Sequence, residues 1–107
     1  MQKVLNNLIS YKEEILKLPY TSKDAAFELV WLARRVADYI YGSDLEEALK
    51  KEVPALLKKQ AGNLAASSNT ATAKALKEHF ETTRQSVVAG LGQLIDQLNN
   101  ISNPLSV

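Results

Sequence analysis

The chain has no cysteine. That excludes a disulfide framework, a thiolate nucleophile and any cysteine-held metal. Histidine occurs once, at position 79. One imidazole without thiolates cannot supply a structural zinc site, and the residue three before it is Leu76 rather than the Glu of a di-iron Glu-x-x-His pair. No Gly-x-Ser-x-Gly elbow is present, and the pair Gly90 and Gly92 lacks the Lys and Ser/Thr of a phosphate loop. The expectation is therefore a non-enzymatic chain with no cofactor and no metal.

Charge of one sign is also lacking. Thirteen basic and twelve acidic side chains leave a formal net charge of +1, which exerts no global pull on nucleic acid or an anionic membrane. Long hydrophobic runs are missing too. The densest, residues 29–33, falls far short of the roughly 20 residues that span a bilayer. Asn6, Asn7 and Ser10 interrupt the apolar residues near the start, so no signal-peptide core forms there. No membrane association is expected, and a cysteine-free chain fits the cytoplasm. Only three prolines and four glycines punctuate 107 residues, and 46% are hydrophobic, enough for one ordered domain.

What is present is helical periodicity. Val4, Leu8, Tyr11, Ile15 and Leu18 recur at steps of four and three, predicting a first helix over 2–18 that Pro19 ends. A second helix follows with Thr21 as its N-cap, and Gly42 closes it. Ser43 and Glu46 match a capping box for a third, which Pro54 kinks or splits near Val53 before it ends at about residue 64. Residues 62–72 are small and polar and read as a mobile connection. Leu76, Phe80, Thr83, Val87, Leu91, Leu94, Leu98 and Ile101 mark a long last helix. The predicted class is all-α: an antiparallel four-helix bundle with a long C-terminal helix, one domain over 1–101 and a frayed tail over 102–107.

Two features of this pattern bear on function. The last helix, at about 30 residues and about 45 Å, outruns its predicted neighbours, so part of its stripe needs cover from a spread third helix or from another chain. The stretch around Val88 and Ile95 is one candidate surface on that account. The second helix is apolar on two sides. Ala26, Leu29, Val30, Ala33, Val36, Ala37 and Ile40 form a core stripe, while Phe27 and Trp31 point away from it, one turn apart. Either another part of the chain covers this second side or a partner does.

The favoured reading is a protein–protein interaction module, a small adaptor, inhibitor or immunity-type helical protein that acts as a homodimer or on another protein. Phe27 and Trp31 would supply the buried area, oriented by Arg34, Arg35 and Asp38. One alternative is a small nucleic-acid-binding subunit using Lys50, Lys51, Lys58 and Lys59, although these are doublets rather than a stripe and nucleic acid is not the expected partner. The other is a histidine phosphotransfer-like domain using His79. Such domains are helical bundles of this size, but their Lys and Gly after the histidine are replaced here by Thr82, Thr83 and Arg84.

Overall fold

The computed structural model describes residues 2–102, with the side chain of Ser102 left aside; the expected frayed tail lies, apart from the backbone of Ser102, outside the described residues. Within that span the chain is all-helical. Four α-helices, α1 (Gln2–Leu16), α2 (Asp24–Tyr41), α3 (Glu52–Thr70) and α4 (Ala73–Ser102), are joined by short connections, and a 3-10 turn, Glu47–Lys50, precedes α3. Helix α2 packs most extensively on α3, α3 on α4, and α4 on α1, while α1 and α2 meet only sparsely. The molecule is elongated, about 50 × 22 × 19 Å.

Helix α1 buries Leu5, Leu8 and Ile15 and ends at Leu16, two residues before the expected stop. The chain just past that end finds a distant partner. The Arg84 guanidinium, on α4, donates to the Leu18 carbonyl, placing a cation at the negative end of α1. Tyr20, just beyond Pro19, lies against Phe80 with ring centroids 5.1 Å apart. The connection between the first two helices is thus fastened to α4 by Phe80 and Arg84. Helix α2 begins later than expected. The Ser22 hydroxyl, not that of Thr21, accepts from the Asp24 backbone N–H at 3.3 Å.

The third segment departs most from the sequence pattern. Ser43 does not open a helix; its hydroxyl donates to the Ile40 carbonyl at 2.6 Å and ties off the end of α2. Helix α3 starts at Glu52, so Pro54 occupies its first turn, where a missing N–H breaks no intrahelical bond. From there α3 runs on through the stretch that composition assigns to a loop, and the connection to α4 shrinks to residues 71–72. The physical reason is packing. Leu57, Ala61, Leu64 and Ser68 keep a buried face at helical spacing, and tertiary contact overrides weak local propensity. Local bonds hold the polar residues: the Ser68 hydroxyl donates to Ala65 O at 2.7 Å and that of Thr70 to Ala66 O at 3.4 Å. Thr72 then caps α4, its hydroxyl accepting from the Ala75 N–H at 3.2 Å.

Because α3 is extended, the long stripe of α4 is covered within the chain. Leu76, Phe80, Val87, Leu91, Leu94, Ile95 and Leu98 are all buried, and only Ile101, near the end, stands half-exposed. Around the expected surface Ile95 is buried and Val88 partly buried against the core, so little of that stripe is left open. Gly90 allows close approach of α3: a Cβ there would lie 2.8 Å from the Leu56 Cδ2.

Two substitutions follow from this packing. Gly62 sits inside α3 with nothing within 4 Å of where a Cβ would go. Gly62→Ala should stabilise the fold by about 0.5–1 kcal/mol through helix propensity alone, read as a rise in the urea midpoint with an unchanged slope. Thr83 is fully buried, and its hydroxyl has no hydrogen-bond partner. Replacing that hydroxyl by a methyl removes an unmet polar group at nearly constant shape. Thr83→Val should stabilise by about 1 kcal/mol, and a lower melting temperature would contradict this account.

Candidate interaction face

Nine residues of α2 are buried, from Ala25 to Ile40. The opposite side is open. Asp24, Phe27, Glu28, Trp31, Arg34, Arg35 and Asp38 are all exposed, and their spacing places them along one strip of the helix. Phe27 is 46% and Trp31 56% exposed. Neither α1 nor any other described part of the chain covers them. Large apolar side chains left this open cost solubility without adding to the core, which makes them informative where they adjoin one another.

Cations hold the exposed rings in place. Arg35 Cζ lies 5.0 Å from the Trp31 ring centroid, and Lys23 Nζ lies 6.0 Å from that of Phe27. Each such contact at an exposed site contributes about 0.5–1 kcal/mol and restricts the ring to fewer rotamers. At the C-terminal end of the strip, Lys58 reaches across from α3. Its Nζ is 3.3 Å from an Asp38 carboxylate oxygen and 5.0 Å from the ring centroid of Tyr41. The pair is solvent-exposed and adds little to stability, but it fixes the orientation of Asp38. Arg34, Asp38 and Lys58 line an open recess of about 290 Å³ between α2 and α3. The Arg34 guanidinium has no carboxylate within ion-pair distance among the described residues, so its forked donors are free for an acidic group.

The structure thus brings Phe27, Trp31, Arg34, Arg35 and Asp38 onto one face. Sequence spacing missed Lys23, Tyr41 and Lys58. The first was legible as a neighbour four residues before Phe27. The last comes from another helix, and no local signal announces it. A smaller apolar exposure occurs on α1, where Ile9 and Leu16 are 37% and 54% exposed.

The other candidate residues lie elsewhere. His79 is half-buried on α4, its Nδ1 2.7 Å from the Ser67 hydroxyl on α3. Lys50 and Lys51 sit at the 3-10 turn and the start of α3, whereas Lys58 is engaged by Asp38. Among the described residues no three His, Cys, Asp or Glu side chains gather as a metal site would need. No described helix is long and apolar enough to cross a membrane. No protein-family model, no curated protein and no solved structure matches this chain.

Proposed function

We propose that this chain is a non-enzymatic protein–protein interaction module whose working surface is the outer side of α2. The observation that carries this reading is the pair Phe27 and Trp31, one turn apart and about half exposed on a helix whose other side is fully packed. Trp and Arg dominate binding energy at interfaces because they combine large area with a polar handle, and Trp31 is stacked with Arg35. Arg34 and the Asp38–Lys58 pair supply a polar rim that sets the register of a partner.

The reading takes the bundle as a single antiparallel domain. Residue pairs whose numbers rise on one helix and fall on the next support it: Ser67 with His79 and Leu56 with Gly90 between α3 and α4, and Lys12 with Gly92 and Leu18 with Arg84 at α1 and α4. A cytoplasmic location belongs to the same proposal and rests on the cysteine-free composition.

The test uses two baits, the intact protein and its Phe27→Ala/Trp31→Ala variant, against extract from the native source. A protein retained at stoichiometric levels by the first and lost by the second supports the reading. Identical retention by both baits, or none by either together with a monomeric protein at high concentration, sinks it.

A further inference from the structure

The exposed strip of α2 is self-complementary, and we propose that its occupant is a second copy of the same strip, crossed antiparallel about Trp31. This inference rests on the interaction reading above and names the partner. The strip positions are 24, 27, 28, 31, 34, 35 and 38. They are symmetric about 31, with intervals of three, four and seven residues on each side. In an antiparallel two-fold pairing the axis runs along the interface between the two Trp31 side chains, perpendicular to α2, so each flank of the strip meets the same flank of the other copy. At about 100° per residue, positions 28 and 35 lie on one side of Trp31 and 27 and 34 on the other.

The chemistry of those opposed positions agrees. Glu28 meets Arg35 of the other copy, twice by symmetry. Phe27 meets Arg34, and the two Trp31 rings meet at the axis. Neither Glu28 nor Arg35 has an ion-pair partner within its own chain among the described residues. Asp24 meets Asp38, but Asp38 already holds Lys58 at 3.3 Å, so the opposing group is an ion pair with a cation to offer. The strip is acidic at its start, with Asp24 and Glu28, and basic beyond its centre, with Arg34 and Arg35. A parallel pairing would set Arg34 beside Arg35 of the other copy, twice, and leave Glu28 beside Phe27. Charge therefore selects the antiparallel arrangement.

Size sets the strength. The two half-exposed aromatics present on the order of 200 Å² together, and the whole strip falls short of the roughly 800 Å² per partner of a stable interface. The dimer is accordingly weak, concentration-dependent and sensitive to salt.

Sedimentation velocity over about 10 μM to about 1 mM, at low and at high salt, reads this directly. The wild-type chain should shift from monomer to dimer with concentration, and less so in high salt. Glu28→Arg and Arg35→Glu should each weaken the dimer about tenfold, since each turns two attractive pairs repulsive. An equimolar mixture of the two variants should recover association, because every 28–35 pair across the heterodimer is again opposite in sign. The double variant Glu28→Arg/Arg35→Glu should behave as wild type. Both positions probed are exposed, so helicity should be unchanged. A monomer across the whole range overturns the self-pairing, and so does a dimer indifferent to both charge reversals. In the first case the capture experiment above still decides whether the face serves a different protein; in the second the dimer uses another surface.

Discussion

Phe80→Ala should cost about 3–5 kcal/mol of folding stability, a large share of what a domain of this size possesses. Phe80 is fully buried on α4 and carries more than its own volume. Tyr20 packs on it at 5.1 Å, and the Arg84 guanidinium lies 5.3 Å from its ring centroid while donating to the Leu18 carbonyl. Truncation therefore opens a cavity and releases the connection between α1 and α2 from α4. Urea unfolding followed by circular dichroism gives the size of the loss. A double-mutant cycle with Tyr20→Ala gives its origin. If the rings act as a pair, the two losses should fall short of additive by about 0.5–1.5 kcal/mol. Full additivity would mean that Tyr20 merely lies nearby and that the connection is held by other contacts.

That fastening could not be read from the sequence, for a definite reason. Leu18 and Arg84 are 66 residues apart, and nothing local to either signals the other. What periodicity does capture is the helices whose apolar stripes are strong. The core positions of α1, α2 and α4 fall where steps of three and four place them, with some ends displaced by up to three residues. Periodicity fails where composition and packing disagree. Residues 62–70 are rich in Gly, Asn, Ser and Thr and look like a loop, yet Ala61, Leu64 and Ser68 continue a buried face and carry α3 through them. The first turns of α3 cover the stretch near Val88 and Ile95, where Leu56 faces Gly90, and the continuation covers the start of α4, where Ser67 meets His79. On the candidate face the division is similar. Phe27 and Trp31 are legible from their angle to the core stripe, since a 100° step leaves them no place in it. Whether they were covered was not legible, because that depends on where α1 lies. Lys58 entered the face only through the packing of α3 on α2.

Trp31→Ala should separate binding from folding. Trp31 is 56% exposed and stacks with Arg35 on its own helix, so its removal leaves no core cavity. The loss in monomer stability should stay near that of a surface change, within about 0.5–1 kcal/mol, including the lost cation–π contact. The loss in association should be at least about 2 kcal/mol, or roughly thirtyfold in Kd, because a tryptophan at the centre of a small interface supplies much of the desolvated area. Stability must be measured at low concentration, where self-association no longer adds to it; at high concentration the wild-type melting temperature should rise and that of the variant should not. The chain has one tryptophan, so the wild-type emission also reports directly. It should be that of a solvated indole in dilute solution and shift to shorter wavelength as the strip is covered. A variant that melts far lower but associates as before would place Trp31 in the core and remove the basis of the interaction face. Equal melting curves with association lost would assign the exposed side of α2 its role, and Arg35→Glu would then tell whether charge or area aligns what binds there.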